Sequence, residues 1–273
     1  MPIPDQLQVE DVLQARDDAE VRQRAREKQK DSAAARHGHA AILLAGGRSA
    51  QQREGPDVAL LPLAGRRLVS RALSSLTEQT GVSHVVVAVH DGDRKAVAAI
   101  LDREVPGHSY ELVAAQLSSQ QTVLAGVEAL AATIDDDGYD LVVVHDAALP
   151  LVSPHLVRSV IAAASRWGAA VPYLGLDDFV WIDRMGAALR FSGNDDRVQV
   201  QSPQAFRADE LLHAYRRSAS EGFVVGTATE AVERYCGRRV RGVPGDTRNV
   251  EIRAPRDLFA AEGLLAALHY VVT

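Results

Sequence analysis

The chain has 273 residues, of which 47% are hydrophobic and 24% are charged, and its formal net charge at pH 7 is −6. This acidic balance argues against a nucleic-acid-binding protein, and no apolar run approaches the roughly 20 residues that span a bilayer. A single cysteine, Cys236, excludes an internal disulfide, and the absence of an apolar N-terminal leader predicts a cytoplasmic protein.

Residues 1–39 differ in composition from the rest of the chain. Acidic and basic side chains are mixed there, and the few apolar residues are too sparse for a core. We therefore predict a charged tail, partly helical or disordered, followed by one domain at residues 40–273. A helix that binds a partner is the alternative reading of the tail.

From residue 40 onward, short apolar strands alternate with segments of helical period. Strands are predicted at residues 40–45, 85–89, 110–113, 139–144 and 169–172, helices at 68–76, 94–101, 122–131 and 154–166, and a turn at 135–138. Strands alternating with helices through short loops predict a mainly parallel sheet with right-handed crossovers. The expected fold is α/β, a three-layer Rossmann-like sandwich.

The alternation breaks after residue 176. Residues 179–183 and 188–191 flank a short turn and predict a β-hairpin within an arm of about residues 177–201. Because the hairpin carries Phe179 and Trp181, we expect a second subunit to cover it; an ordinary edge hairpin is the alternative. Residues 202–206 are expected to form a loop, followed by helices at 208–221, 229–236 and 255–268 and a strand near 239–243.

Two strand ends carry candidate functional residues. Residues 142–150 (VVVHDAALP) predict a buried strand that ends at His145 and Asp146, and ligands of open α/β sheets bind at the carboxyl ends of the strands. A carboxylate there can hold a divalent cation against phosphate oxygens, although a turn aspartate would look the same. The first strand runs into Gly46 and Gly47, where the backbone can approach a phosphate or a base.

Five blocks in this order carry a family resemblance: LLAGG (43–47), LPLAGR (61–66), VHDAALPLVSP (144–154), QSPQAF (201–206) and VPGDTRNVEI (243–252). Together they resemble the methylerythritol phosphate cytidylyltransferase family (IspD-like). The resemblance implies a homodimer clasped by the hairpin arm. It also implies a reaction in which a sugar-alcohol phosphate attacks the α-phosphorus of CTP with Mg²⁺ and releases pyrophosphate. The residues that it places at the site are Ala45, Gly46, Gly47, Thr122, His145 and Ala147 for the nucleotide, Thr227 for the second substrate and Asp146 for the metal. Packing in the core or in a turn is the alternative for His145.

The positions that hold cations in that family differ here. Gln51 stands where the family has its catalytic arginine, and Val58 and Glu251 stand where it has lysines. The chain has only three lysines, Lys28, Lys30 and Lys95, and none is expected at the cleft, so no alignment register can restore two cleft lysines. Four arginines are near the right places and are candidate substitutes: Arg48, Arg53, Arg248 and Arg253.

Two hypotheses follow. In the first, the chain is a dimeric IspD-like protein that has lost or greatly reduced the transfer reaction and keeps the fold, with a role in binding a nucleotide, an active paralogue or another partner. In the second, it is a working nucleotidyltransferase with an altered substrate, which uses CTP and Mg²⁺ at Asp146 and neutralises charge with arginines. Removal of one preorganised cation costs about 10²–10³ in rate, which favours the first hypothesis.

Overall fold

The structure, a computed structural model, describes residues 38–46, 57–136, 139–175, 179–182, 188–192 and 198–271. For residues 132–136, 179–182, 188–192 and 268–271 it describes the backbone alone. The chain divides into the units 1–37 and 38–273, and every described residue belongs to the second, so the charged tail stays a prediction. No helix within the described ranges is long and apolar enough to cross a membrane.

The described residues form strands and helices that alternate along most of the chain. The strands are β1 (His39–Leu44), β2 (Pro62–Leu63), β3 (Arg66–Arg67), β4 (Val82–Val89), β5 (Tyr110–Ala114), β6 (Leu141–Asp146), β7 (Ala169–Gly175), β8 (Phe179–Ile182), β9 (Ala188–Ser192), β10 (Val198–Val200), β11 (Gln204–Arg207) and β12 (Arg241–Pro244). The helices are α1 (Leu68–Thr77), α2 (Arg94–Glu104), α3 (Ser119–Asp136), α4 (Pro154–Trp167), α5 (Ala208–Glu221), α6 (Ala228–Cys236) and α7 (Leu258–Val271).

The main sheet has the strand order β10-β7-β11-β6-β1-β4-β5, and β12 pairs with β7. β1 is parallel to both β4 and β6, β4 is parallel to β5, and β12 is parallel to β7. Only β10 and β11 run antiparallel to their neighbours in this sheet. The predicted mainly parallel sheet is therefore confirmed, with one antiparallel insertion between β6 and β7.

Helices cover the sheet on both faces. Along β1, Ala41 and Leu43 pack with apolar residues of α1, α2 and α4, whereas Ala40 and Ile42 pack with those of α3, α5 and α6. Because both faces of the strand are covered, its sequence is a continuous apolar run rather than an alternating one. This arrangement confirms the predicted three-layer α/β sandwich.

The strand β11 corrects the sequence-based prediction of a loop at residues 202–206. It lies between β6 and β7, and Ala205 and Phe206 are fully buried in the sheet. The strand has four residues and follows a proline, so its apolar run is too short to give a clear period. Tertiary pairing with two long strands, rather than local pattern, fixes this segment.

Two further segments differ in extent from the prediction. The helix predicted at residues 122–131 begins at Ser119 and continues to Asp136, so Asp135 and Asp136 are helical and not part of a turn. The predicted hairpin is present as the two-stranded antiparallel sheet of β8 and β9. β10, in contrast, pairs with β7, so residues 198–200 belong to the main sheet and not to the hairpin.

Phe206 gives a test of how much β11 contributes to stability. Replacement by alanine (F206A) should lower the free energy of unfolding by about 3–5 kcal/mol, because a fully buried aromatic ring is lost and a cavity remains. Chemical denaturation followed by circular dichroism measures this change. Phe259, which is 86% exposed on α7, is the matched control, and F259A should change stability by less than about 0.5 kcal/mol. Equal losses in the two variants would contradict the placement of β11.

Candidate functional site

The carboxyl ends of the parallel strands meet at one edge of the sheet, beside a cavity of about 620 Å³. Leu44 at the end of β1 is paired with Asp146 at the end of β6 and with Ala88 in β4. Gly46, Thr122, Asp146, Val58 and Glu251 all line this cavity. The structure therefore brings five of the predicted site positions together in the crevice where open α/β sheets bind ligands.

Gly46 is held where no other residue fits. A Cβ atom built on it would lie 2.4 Å from the Ala115 Cβ atom and 3.2 Å from the His90 backbone nitrogen. The Ala45 amide just before it donates to the Ala88 carbonyl, which ties the segment to β4. The glycine thus reflects close packing between the loop after β1 and the loops after β4 and β5.

The loop after β5 forms a second wall of the cavity and leads into α3. The Thr122 hydroxyl accepts the Gln116 amide at 2.9 Å and donates to the Ser118 carbonyl at 2.9 Å, which closes the loop onto the first turn of the helix. Ser119, the first residue of α3, also lines the cavity. Because the N-terminus of a helix carries partial positive charge, this wall favours a negatively charged ligand.

Asp146 lies in an acidic environment. Burial raises its pKa to about 6, the amide of Ala148 opposes that shift by donating to Oδ1 at 2.8 Å, and the carboxylates of Glu251 and Asp57 raise the pKa further. The field at this carboxylate is therefore negative, which is a setting that a bound cation would relieve.

His145 supports Asp146 from within the core. Its ring is fully buried, and burial lowers its pKa to about 3, so the imidazole is neutral at pH 7. Nε2 lies 3.2 Å from the Leu149 carbonyl oxygen, which can only accept, so we assign the ring hydrogen to Nε2. Nδ1 then accepts from the Ser202 hydroxyl at 2.6 Å, and the Ser202 oxygen accepts the Asp146 amide at 3.0 Å.

A second set of hydrogen bonds fixes the loop of residues 245–251 against the same point. The Asn249 side chain donates to the Ser202 carbonyl at 2.7 Å. The side-chain nitrogen of Gln201 donates to the backbone carbonyls of Asp246 and Asn249, and its side-chain oxygen accepts the backbone amide of Asp246. Residues 145–146, 201–202 and 246–249 are thus one hydrogen-bonded unit, and this unit positions Glu251 at the cavity.

The arginines near the cavity are neutralised by their neighbours. Arg253 lines the cavity, but its guanidinium binds one Glu251 oxygen through Nε and Nη2 at 2.9 and 2.7 Å. Arg248 binds both oxygens of Asp246, from Nε to Oδ1 at 2.9 Å and from Nη2 to Oδ2 at 2.7 Å, and holds the pKa of that carboxyl below its usual value. Arg248 lines neither this cavity nor the adjoining one of about 520 Å³.

Where the family resemblance predicts a lysine, Val58 presents an apolar side chain to the cavity. Asp57 beside it is buried, accepts the Ala59 amide at 2.9 Å and lies 3.8 Å from His90 Nε2. His90 also lines the cavity.

Two other predicted residues, one on the nucleotide side and one on the substrate side, have structural roles here. Ala147 is fully buried, and its amide donates to the Leu44 carbonyl. Thr227 caps α6 by accepting the Glu230 amide, and it lines a separate cavity of about 190 Å³ that also contacts Asp146. Four predicted positions, Gly47, Arg48, Gln51 and Arg53, lie outside the described residues, as do the side chains of Phe179 and Trp181.

The sequence analysis missed His90 and Ser202 as site residues. Asp146 was a candidate because it is a polar residue at the carboxyl end of a buried strand. His90 directly follows β4, so the same criterion would have identified it. Ser202 gave no such signal, because its role depends on β11 pairing with β6 and bringing the residues before β11 beneath His145.

Comparisons with known proteins agree with this geometry. The family model described as IspD, 2-C-methyl-D-erythritol 4-phosphate cytidylyltransferase, matches residues 39–267. Bifunctional IspD/IspF enzymes of Nitrobacter hamburgensis and Bradyrhizobium sp. are 34% and 33% identical over 84% of this chain, which spans 55% and 56% of their lengths. The chain therefore spans about half the length of the curated relatives it matches.

Solved structures are similar over nearly the same range. The 2-C-methyl-D-erythritol 4-phosphate cytidylyltransferase of Thermus thermophilus is 26% identical, with a TM-score of 0.67, over 84% of this chain and 99% of the other. The 4-diphosphocytidyl-2C-methyl-D-erythritol synthase of Anaerococcus prevotii, 20% identical with a TM-score of 0.70 over 84% and 96% of the chains, shows the same fold. With its family model matched along residues 39–267, the chain belongs to the IspD family.

Proposed function

We propose that this chain is a nucleotide-binding member of the IspD family in which transfer of CMP from CTP to methylerythritol phosphate is lost or strongly reduced. The observation that carries the proposal is the charge of the cleft. Its described lining holds the carboxylates of Asp146 and Glu251, and the one guanidinium there, that of Arg253, is bound to Glu251.

The chemistry implied by the family explains why this charge matters. A phosphate monoester that attacks a triphosphate brings several negative charges together, so catalysis depends on positioning and on charge neutralisation. Glu251 and Asp146 add negative charge where the reacting phosphates would have to meet. Each missing electrostatic donor costs about 10²–10³ in rate, and two or more are missing among the described positions.

Three features of the cleft support nucleotide binding. The cavity of about 620 Å³ is of the size that takes small-molecule ligands, the loop with Gly46 lines it, and the N-terminus of α3 faces it at Ser119. These features support binding of CTP or another nucleotide without requiring turnover.

Asp146 is the residue that would hold Mg²⁺. The described residues contain no cluster of three or more histidine, cysteine or acidic side chains that could hold a metal. The donor set nevertheless fits Mg²⁺, which is usually held by one or two carboxylates together with substrate phosphates and water. When bound, the ion would neutralise phosphate charge, and Asp146 would supply its protein oxygen.

The proposal includes a cytoplasmic homodimer formed through the β8–β9 hairpin. Support comes from the hairpin forming its own two-stranded sheet, and from the side chains of Val198 and Val200, exposed on the adjoining strand β10. An active family enzyme is a second proposed partner for a chain without turnover.

Pyrophosphate release tests the proposal directly. With CTP, Mg²⁺ and methylerythritol phosphate, turnover should be at least about 10³-fold below that of the Thermus thermophilus relative assayed in parallel, because two or more electrostatic donors are missing. Turnover within tenfold of the relative, abolished by Asp146→Asn, would overturn the proposal and establish an active transferase with altered charge neutralisation.

Restoring a positive charge at position 251 tests whether the charge of the cleft limits its binding of phosphate groups. Glu251→Lys should tighten binding of CTP with Mg²⁺ by about tenfold or more, because it removes a carboxylate, adds a cation and frees Arg253. Calorimetry measures the affinity. Glu251→Gln should give a smaller gain, and Glu78→Lys, at an exposed acid after α1, controls for net charge and should give none. Equal gains from Glu251→Lys and Glu78→Lys would show that the effect is not local.

The carboxylate of Asp146 should also affect the pH dependence of stability. In the native state Asp146 has its pKa raised to about 6, so its contribution to stability is present at low pH and is lost as the pH rises through 6. His145, with its pKa lowered to about 3, contributes in the opposite sense, and that contribution is lost as the pH falls from 6.5 towards 3.

Asp146→Asn should therefore be more stable than the unchanged protein at pH 7.5, by about 1–2 kcal/mol, with the difference shrinking towards pH 4. Urea unfolding at the two pH values measures this. Asp91→Asn removes an exposed carboxylate as a control and should show no such difference. An Asp146→Asn variant that is no more stable at pH 7.5 would contradict the acidic environment assigned to Asp146.

A further inference from the structure

A groove of about 590 Å³ lies at the opposite rim of the sheet from the cleft. It is lined by Trp167, at the end of α4, and by residues 236–241, which lead from α6 into β12. β7 and β12 both begin here and run parallel to each other, so this rim collects amino ends of strands, whereas the cleft collects carboxyl ends. The two sites are therefore separate.

We propose that this groove, called here the Trp167 groove, binds an extended acidic peptide segment of a partner protein. The first support is its charge. Among the described residues, no carboxylate lies within ion-pairing distance of Arg166, Arg239 or Arg241. In a protein with a net charge of −6, this concentration of uncompensated guanidinium groups selects an acidic ligand.

Trp167 gives the groove an apolar anchor. Its side chain is 47% exposed, and the guanidinium carbons of Arg166 and Arg241 lie 5.0 and 5.5 Å from its ring centroid. These cation–π contacts hold the two arginines beside the ring. Tryptophan and arginine are the residues that most often dominate binding energy at protein interfaces.

Arg238, in the lining of the groove, is held by its neighbours. Arg238 forms a bidentate ion pair with Glu210, with one bond at 2.8 Å, and donates to the Trp167 carbonyl at 3.4 Å. Its guanidinium packs so closely under Gly168 that a Cβ atom there would lie 2.7 Å from the Arg238 Cζ atom. Arg238 therefore serves as scaffold and leaves the exposed Arg239 and Arg241 to contact a ligand.

β12 supplies the backbone for an extended partner. Within the described part of the chain, β7 is the only strand that pairs with β12, so the other edge of β12 is open. An extended peptide can add a strand to such an edge. Arg239 and Arg241 are two residues apart, and this spacing places side chains on one face of an extended segment. Acidic residues at every second position of the partner could therefore pair with both guanidinium groups.

The position of arginine on this edge also limits which partners fit. Charged residues on an edge strand oppose pairing with neutral or like-charged strands. The same charges favour pairing with an acidic strand, because each carboxylate meets an unpaired guanidinium. An extended acidic peptide therefore combines the charge and the backbone geometry of the groove, whereas a free phosphate would use only the charge.

The test uses a fluorescein-labelled synthetic peptide of alternating glutamate and valine, with the full-length protein carrying Trp181→Phe so that Trp167 is its sole tryptophan. We expect saturable fluorescence anisotropy, a matching change in Trp167 emission, and weaker binding as ionic strength rises. The double variant Arg239→Glu/Arg241→Glu should lose at least about tenfold in affinity. The same peptide with lysine in place of glutamate should not bind.

Arg103→Glu/Arg217→Glu is the matched control, since it changes the net charge equally at exposed arginines on α2 and α5. Circular dichroism establishes that each variant is folded. Equal losses in both double variants would overturn the proposal, as would peptide binding that leaves Trp167 emission unchanged. Inorganic phosphate that displaces the peptide at equal concentration would also overturn it, in favour of a small-anion site. CTP binding at the cleft should be unchanged in every variant.

Discussion

The site depends on the hydroxyl group of Ser202. It donates to a neutral, fully buried histidine and accepts the backbone amide of Asp146, so one oxygen ties the end of β6 to the residues that lead into β11. Because the His145 ring can donate only through Nε2, the donor and the acceptor of each of these hydrogen bonds are determined. Asn249 and Gln201 then attach the loop of residues 246–251 to the same segment. Loss of the hydroxyl would leave a buried imidazole nitrogen and a backbone amide without partners, which typically costs about 1–3 kcal/mol for each group. The position of Asp146 is thus set by the core and not by a ligand.

The described charged residues are not distributed as expected for a protein that binds several phosphate groups at its cleft. Near the cleft, Arg248 and Arg253 are each held by an adjacent carboxylate, and burial together with the carboxylates of Glu251 and Asp57 raises the pKa of Asp146. At the opposite rim, Arg239 and Arg241 face solvent beside an exposed tryptophan. Among the described residues that line the two rims, the guanidinium groups without a paired carboxylate therefore lie about the amino ends of β7 and β12. This distribution supports the proposal of an acidic partner at that rim.

The sequence was sufficient to predict the layered fold, because β1, β4 and β6 are continuous apolar runs between helices of clear period. The strand ends also predicted that Gly46 and Asp146 lie near one another, because parallel strands bring their carboxyl ends to one edge, and the family resemblance added Thr122 and Glu251. All four residues line the cavity. The sequence did not predict β11, where pairing with two neighbouring strands decides the conformation of a segment too short to show a period. The sequence also did not predict how Arg248 and Arg253 are paired. Proximity in sequence suggested that Arg248 and Arg253 replace the missing lysines, but Asp246 and Glu251 are equally near and take both guanidinium groups.

The contacts around the crevice explain how a family resemblance can persist when residues that face the cavity differ. The residues that connect the blocks 144–154, 201–206 and 243–252 are His145, Ser202, Gln201 and Asn249, and their contacts are with one another and with backbone groups. These contacts are needed to fold the crevice whether or not anything reacts in it. Glu251, in contrast, lines the cavity and pairs with Arg253 instead of supporting the network, so its identity can change with little effect on the fold. Val58 also lines the cavity but is buried in the core. Recognition of the blocks therefore reports on the architecture of the crevice, while its chemistry has to be inferred from the charges that face the ligand.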